Sequence, residues 1–169
     1  MLAAKPNIHL LAETGGKNTT IVTALADRDQ AIKNVLQSAF GHSGQKCSAT
    51  SLLLLKDEVY HDQKFRGALC DAVESLCVGS AWELHTKVGP LIRPPADMLE
   101  KGLKELELGE SWAVMPQLNF NGNPHLVTSG VKWGVQPGSL THTTEFFGPL
   151  LGGMLTVVRQ PMQFENSTC

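Results

Sequence analysis

The sequence predicts an α/β protein, because helix-like and strand-like segments alternate along its 169 residues. Residues 27 to 40 have apolar side chains at helical spacing, with Asp27 placed to cap the helix N-terminus. Residues 51 to 55 instead form a nearly continuous apolar run of strand length, which is typical of a strand buried on both faces of a sheet. We therefore expect this run among the central strands, flanked by helices at 27 to 40 and 58 to 76.

The other elements are predicted in chain order. Residues 7 to 12 predict a short strand before a Gly-Gly turn, and Ile21 and Val22 form a second short apolar segment. Helical spacing returns at 58 to 76, and Pro94-Pro95 predicts the opening of a third helix that runs to about Leu108. Further strands are predicted at 112–115, 126–128, 131–135 and 150–158.

The composition favours a soluble globular protein, with 42% hydrophobic and 18% charged residues. A net charge of −2 gives no reason to expect nucleic acid or an anionic membrane surface as a partner. The longest wholly apolar run, Leu52–Leu55, is far too short to span a membrane. The first residues lack the pattern of a secretory signal peptide, so we expect a cytoplasmic protein.

The four cysteines, at 47, 70, 77 and 169, show no Cys-x-x-Cys pair and no Cys/His spacing typical of a metal site, so we expect no metal. Cys70 and Cys77 lie seven residues apart in a helix-like stretch, on roughly the same face, and we expect core or half-buried thiols there. Cys47 has a different setting, in GQKCSA. The breaker-rich residues 41–44 precede it, so we expect it in the loop or turn between the predicted helix and the predicted strand. Taken alone, a cysteine beside an apolar strand is most often a small buried residue.

Two further segments change that interpretation. ETGGKN places Glu13 before paired glycines, and TEFFGP places Glu145 before an aromatic pair and a Gly-Pro turn. Each segment by itself is most often an ordinary turn. Together they provide an acid, a thiol and a second acid on loop-like segments. A thiolate can form a thioester, and a carboxylate can activate the water that opens it, so the set indicates covalent thiol chemistry.

The set resembles the aldehyde dehydrogenase superfamily in order, spacing and residue choice. ETGGKN is similar to the family's Glu-x-Gly-Gly-Lys segment, GQKCSA to its Gly-Gln-x-Cys segment, and TEFFGP to its Glu-x-Phe-Gly-Pro segment. VGPLI at 88–92 matches a further family block. The Gln-Lys-Cys-Ser-Ala run is typical of the glutamate-γ-semialdehyde (1-pyrroline-5-carboxylate) branch, including the dehydrogenase half of bifunctional proline-utilisation proteins. We expect a partial catalytic domain over residues 1–159 and a tail, 160–169, outside it.

The resemblance implies a catalytic role for two residues and a substrate contact for a third. Cys47 is implied as the nucleophile that attacks the aldehyde carbon, with its own backbone N–H in the oxyanion hole. Glu13 is implied as the base that activates the water for deacylation. Ser48 is implied as a ligand for the α-carboxylate of the substrate, a small-molecule aldehyde.

The resemblance also implies an NAD cofactor and an open, mostly parallel sheet with flanking helices, a truncated form of the aldehyde dehydrogenase catalytic-domain fold. Glu145 is implied as the contact to the nicotinamide ribose, and Phe147 as a wall of the nicotinamide site. Gly15 and Gly16 would let the backbone approach the cofactor closely, because glycine has no Cβ.

The sequence contains no Gly-x-Gly-x-x-Gly fingerprint between a strand and a helix, so we expect no dinucleotide-binding domain in these residues. On this basis we expect a catalytic-domain fragment of an NAD(P)-dependent dehydrogenase of proline catabolism, inactive alone and forming homo-oligomers through surfaces that truncation exposes. Two alternatives stay open. One is a stand-alone binding or assembly module, and the other is residual, esterase-like thiol reactivity at Cys47.

Overall fold

The computed structural model of the chain describes residues 18–135 and 154–160. Within these ranges one sheet contains β1 (Asn18–Val22), β2 (Thr50–Lys56), β3 (Ser111–Val114), β4 (Gly130–Val135) and β5 (Met154–Gln160). The helices are α1 (Arg28–Ala39), α2 (Asp57–Tyr60), α3 (Gln63–Glu74) and α4 (Asp97–Lys104). Short 3-10 turns lie at Gly41–Gly44 and Phe120–Gly122. Among the described helices, none has the length and apolar character that crossing a bilayer requires.

The sheet is open and mostly parallel, with strand order β1-β2-β5-β4-β3. β1, β2, β5 and β4 run parallel to one another, and β3 pairs antiparallel with β4 at one edge of the described sheet. Both the α/β class and the mostly parallel sheet are therefore confirmed. β2, the predicted central strand, is paired on both sides, by β1 and β5.

The main core lies between the sheet and helices α1 and α3, which contact each other over one face. Alternate residues of β2 and β5 point into this core, and an apolar stripe of each helix meets them. Fully burying one such leucine or valine contributes about 1.5–3 kcal/mol. The buried side chains of this face include Val35, Phe40, Leu53, Leu55, Leu69, Val131, Leu155 and Val157.

A smaller cluster lies on the opposite face, under α4. Leu103 of α4 packs there with Leu91, Val127 and Met154. Met154 and Leu155 are adjacent in β5 but belong to different clusters, because neighbouring residues of a strand point to opposite faces of the sheet.

Local sequence accounts for the helix starts. Asp27 accepts a hydrogen bond from the Gln30 N–H at 2.9 Å, which caps α1 as predicted. The single helix predicted over 58–76 is wrong, since α2 and α3 are separate. Asp62 caps α3 by accepting from the Lys64 and Phe65 N–H groups, so the chain turns before it. Because α3 ends at Glu74, Cys77 lies beyond the helix and is exposed, and the core or half-buried position expected for it is wrong.

Two further predictions are corrected. The third helix begins at Asp97, after the prolines, because Ala96 is still extended (φ −143°, ψ 161°), and it ends at Lys104 rather than near Leu108. Residues 126–128 form no strand, because their backbone bonds go to the preceding loop: the Thr128 N–H donates to the Gln117 carbonyl and the Leu126 N–H to the Asn123 carbonyl, both at 3.0 Å. The strand predicted at 7–12 and the start of the one at 150–158 lie outside the described residues.

Candidate active site

Cys47 lies in a turn of residues 46–48 that joins the Gly41–Gly44 3-10 turn to β2, as the breaker-rich sequence predicted. Its thiol is free and exposed. Lys46 and Ser48 are exposed on either side of it. The candidate nucleophile is therefore open to a ligand, unlike a small buried structural cysteine.

The backbone of this turn leaves a donor available beside the thiol. Its closing bond runs from the Ala49 N–H to the Lys46 carbonyl at 3.1 Å. Within the ranges that the structure describes, neither the Cys47 N–H nor the Ser48 N–H has a hydrogen-bond acceptor. An unpaired backbone N–H next to a thiol can donate to the oxygen of a carbonyl compound that the thiol attacks.

Asn18, at the start of β1, holds the turn from one side. Its Nδ2 donates to the Cys47 carbonyl at 2.6 Å and to the Ala49 carbonyl at 3.2 Å. The contact follows from strand pairing, because β1 runs parallel to β2 with Asn18 opposite Thr50. Parallel strands start at the same end of a sheet, so the first residue of β1 and the Cys47 turn, which precedes β2, lie at that end.

Gln45 and Ser43 hold the other side, against residues 89–92. The Gln45 Nε2 donates to the Pro90 carbonyl at 3.3 Å, and its Oε1 accepts from the Ile92 N–H at 2.9 Å. The buried Ser43 hydroxyl donates to the Gly89 carbonyl at 2.7 Å. These bonds join two segments that sequence comparison singled out separately, GQKCSA and VGPLI.

The chain reaches Cys47 through an unusual backbone conformation. His42, Ser43 and Gly44 have φ values of 57°, 56° and 68°, all in the left-handed region. A non-glycine residue there costs on the order of 1–3 kcal/mol and persists only where the surroundings fix it. The Ser43–Gly89 bond is one contact that fixes it.

The structure describes two of the seven residues predicted for the site, Cys47 and Ser48, and places both in the exposed turn. The other five, Glu13, Gly15, Gly16, Glu145 and Phe147, lie outside the described residues, so their roles stay predictions. Sequence reasoning assigned no role to Asn18, Gln45 or Ser43. The available signal was that Asn18 and Gln45 sit inside ETGGKN and GQKCSA, and both carry amides that can donate and accept.

The two described groups whose pKa values are shifted, Cys70 and Asp57, both lie outside the Cys47 turn. Burial raises the pKa of the Cys70 thiol, which disfavours its reactive thiolate. The hydrogen bond from Arg159 lowers the pKa of Asp57 at the far end of β2. A cavity of about 580 Å³ is lined by Cys77, His85 and Ser129 among others, but by no residue of the Cys47 turn. No group of three potential metal ligands occurs in the described ranges.

Comparison with known proteins assigns this arrangement to a family. Residues 1–158 match the model described as "Aldehyde dehydrogenase family". A malonate-semialdehyde dehydrogenase from Lacticaseibacillus casei is 37% identical over 99 residues, covering 56% of this chain and 20% of that protein. A 1-pyrroline-5-carboxylate dehydrogenase from Bacillus subtilis is 38% identical over 103 residues, covering 61% of this chain and 19% of that protein.

A solved structure gives the same result over more of the chain. Proline Utilization A (PutA) from Corynebacterium freiburgense is 42% identical with a TM-score of 0.79, and the match covers 94% of this chain and 16% of that one. The chain thus spans about a fifth of the length of the two curated relatives and less of PutA.

Proposed function

Since the chain belongs to the aldehyde dehydrogenase family, we propose that it carries the nucleophile of an NAD(P)-dependent dehydrogenase that oxidises glutamate-γ-semialdehyde to glutamate in proline catabolism. The observation that carries this proposal is the exposed Cys47 thiol beside a backbone N–H that has no acceptor among the described residues. The similarity to a 1-pyrroline-5-carboxylate dehydrogenase and to PutA supports the choice of substrate.

The described residues support the acyl-transfer half of the reaction. The Cys47 thiolate attacks the aldehyde carbon, and the carbonyl oxygen becomes an oxyanion that the Cys47 N–H stabilises. NAD would supply a hydride acceptor here, and loss of a hydride from the carbon of this adduct would leave a thioester on Cys47. Its implied contacts, Glu145, Phe147, Gly15 and Gly16, lie outside the described residues. Water then hydrolyses the thioester, which releases the acid and restores the thiol.

Glu13 is the proposed base for this water, and chain connectivity supports it. Glu13 precedes Asn18 by five residues, a stretch that spans at most about 18 Å when fully extended. Asn18 in turn is hydrogen-bonded to the carbonyl of Cys47. Chain connectivity therefore keeps Glu13 within about 18 Å of Asn18.

Ser48 is the proposed contact to the substrate's carboxylate. It follows Cys47 directly and is exposed in the same turn. A hydroxyl is a suitable donor to a carboxylate, and a hydrogen bond to a charged group contributes about 1.5–3 kcal/mol. Malonate semialdehyde, which appears in the name of the relative from Lacticaseibacillus casei, also carries a carboxylate. The Ser48 contact therefore fits either substrate.

Esterase-like chemistry is a second candidate, favoured by the same exposed thiol and by the same N–H, which has no acceptor in the described part of the chain. Acyl transfer to Cys47 and hydrolysis by water need no hydride acceptor.

Self-association also fits this chain, because Trp82 and Leu84 expose nearly their whole side chains in one loop.

An activated ester tests the nucleophile directly. We expect 4-nitrophenyl acetate to acylate Cys47 faster than Cys77, as located by mass spectrometry of the 169-residue chain. Cys77 is the matched control, because it is also free and exposed but lies outside the turn. A Cys47→Ser variant should lose the fast release of nitrophenol, and a Cys77→Ser variant should keep it. Equal acylation of both thiols in the wild type would contradict the proposal.

The same chain should form no NADH from glutamate semialdehyde and NAD on its own. A single charged hydrogen bond from Glu145 to the ribose contributes about 1.5–3 kcal/mol, which by itself supports binding weaker than about 1 mM. The sequence offers no glycine-rich dinucleotide fingerprint to add to it. Steady NADH formation, followed by absorbance, would contradict this expectation. It would show that the 169-residue chain alone binds the cofactor well enough for turnover.

A further inference from the structure

We propose that Asn18 and Gln45 are positioning residues that hold the Cys47 turn (residues 46–48) in the geometry needed for acyl transfer. Their role rests on the proposed function, because it concerns how Cys47 and its neighbouring N–H groups meet a carbonyl carbon. Neither side chain touches the reacting atoms in this role. Asn18 bonds the backbone of the turn itself, whereas Gln45, which directly precedes the turn, bonds the backbone of Pro90 and Ile92.

The turn depends on polar contacts because it has no apolar anchor. Lys46, Cys47 and Ser48 are all exposed, and one backbone bond, from Ala49 to Lys46, closes the turn. An exposed loop with few buried contacts is the kind of segment that opens locally at low free-energy cost. Hydrogen bonds from outside the turn therefore decide how narrowly its backbone is fixed.

Asn18 fixes the direction of the Cys47 peptide group. Its Nδ2 bonds the carbonyl oxygens of Cys47 and Ala49, two residues apart, so both carbonyls face the start of β1. Since a trans peptide unit is planar, the Ser48 N–H points away from the Cys47 carbonyl. Turning this carbonyl toward β1 therefore turns the Ser48 N–H away from β1, where it has no acceptor among the described residues. In this orientation the Ser48 N–H is a second donor for the oxyanion, beside the Cys47 N–H.

Gln45 fixes the point at which the turn begins. Its amide both donates to the Pro90 carbonyl and accepts from the Ile92 N–H, so the side chain cannot rotate without losing both bonds. Gln45 is two residues before Cys47, and the left-handed residues before it are held to Gly89 through Ser43. The turn is therefore tied to β1 on one side and to residues 89–92 on the other.

Two reagents separate positioning from simple access to the thiol. Acylation by 4-nitrophenyl acetate passes through an oxyanion that backbone N–H groups stabilise, whereas alkylation by iodoacetamide forms no oxyanion. The ratio of the two rates at Cys47 thus reports on the N–H groups and cancels changes in exposure. In Asn18→Ala and Gln45→Ala we expect this ratio to fall about 3- to 10-fold, the effect of losing one hydrogen bond from a backbone N–H to the oxyanion.

Gln30→Ala is the matched control. The side-chain amide of Gln30 also donates a hydrogen bond, to the Asn34 Oδ1 at 2.8 Å, but on the exposed face of α1. It should leave the ratio unchanged. Gln45→Glu keeps the acceptor for the Ile92 N–H and loses the donor to Pro90. We expect it to preserve the hydrogen-exchange protection of the Ile92 amide that Gln45→Ala loses, and to restore part of the ratio.

The outcomes distinguish this inference from the proposed function. If wild-type Cys47 is acylated selectively but Asn18→Ala and Gln45→Ala, with native circular dichroism, keep the wild-type ratio, the positioning role is wrong. If wild-type Cys47 is acylated no faster than Cys77, the proposed nucleophile itself is wrong. If Gln45→Ala does not fold, Asn18→Ala and Gln45→Glu decide the question by the same ratio.

Discussion

The Cys47 turn and helix α3 each carry a cysteine, but they are built in opposite ways. In the turn, exposed side chains sit on a backbone held by hydrogen bonds from Asn18 and Gln45. In α3, an apolar stripe is buried against the sheet, and Cys70 is half-buried beside it. The stripe consists of Phe65, Leu69 and Val73, spaced four residues apart.

This contrast separates the source of stability from the source of reactivity. Packing of α3 contributes to the free energy of unfolding, while burial keeps its thiol less reactive. The Cys47 turn contributes little buried apolar area, and its polar contacts leave a thiol and N–H groups open to a ligand. Changes in α3 should therefore alter stability without altering Cys47 chemistry.

The largest expected effect is that of Leu69→Ala. Leu69 is fully buried, at 0% exposure, so truncation should lower the free energy of unfolding by about 2–5 kcal/mol. Urea unfolding followed by circular dichroism measures this change. At urea concentrations below the unfolding transition, the acylation rate of Cys47 in Leu69→Ala should match that of the wild type. A large drop in that rate would show that the two regions are coupled.

Removal of the helix caps should have the next largest effect. Asp62 bonds two N–H groups of α3, and Asp27 bonds one of α1. We expect Asp62→Ala to lower the free energy of unfolding by about 1–2 kcal/mol and Asp27→Ala by about 0.5–1 kcal/mol. Thermal unfolding of both variants tests this order. The opposite order would mean that the number of capping hydrogen bonds does not determine how much the free energy of unfolding falls.

A smaller, several-fold effect is expected for alkylation of Cys70. Burial restricts access to this thiol and raises its pKa, so iodoacetamide at mildly alkaline pH should label it slowly in the native chain. Unfolding in urea removes both causes and should speed labelling several-fold. Cys77, which is exposed, provides the comparison, since its rate should change little. Fast native labelling of Cys70 would show that α3 opens readily.

The smallest expected effect concerns Asp57, at the start of α2. The hydrogen bond from Arg159 lowers the pKa of this carboxyl below its ordinary value of 3.8. A lowered folded-state pKa means stability that is present above 3.8 and lost as the pH falls through the folded value. Urea unfolding at a series of pH values measures this. From about pH 6 to about pH 3 the free energy of unfolding of the wild type should fall further than that of Asp57→Asn, which has no carboxylate at this position. Parallel curves for the two proteins would contradict a stabilising pair.

The fold was predictable where the signals are local. α1 and β2 were predicted to within about one residue, because Asp27 supplies a cap and residues 51–55 supply a continuous apolar run. The break between α2 and α3 was missed because helical apolar spacing continues across it. The strand predicted at 126–128 was wrong because its apolar residues suit a strand, whereas their hydrogen bonds go to a loop.

The candidate site was predictable in its chemistry more than in its support. Gly41 and Gly44 indicated a loop before β2, which placed Cys47 outside regular structure. The roles of Asn18 and Gln45 were not predictable, since their partners lie 29 and 47 residues away along the chain. The Asn18 contact follows from the pairing of β1 with β2, whereas the Gln45 contact joins two loops. Single-sequence patterns specify neither.

The strand order also has a consequence for how the chain folds during synthesis. β2 pairs on one side with β1, which precedes it closely, but on the other side with β5, where Leu52 is opposite Thr156. Until the ribosome has released residues 154–160, that edge of β2 lacks its native partner. An unpaired edge of this apolar strand invites association between nascent chains, and pairing over such a distance is slow. Chaperone demand during synthesis should therefore fall once β5 has docked.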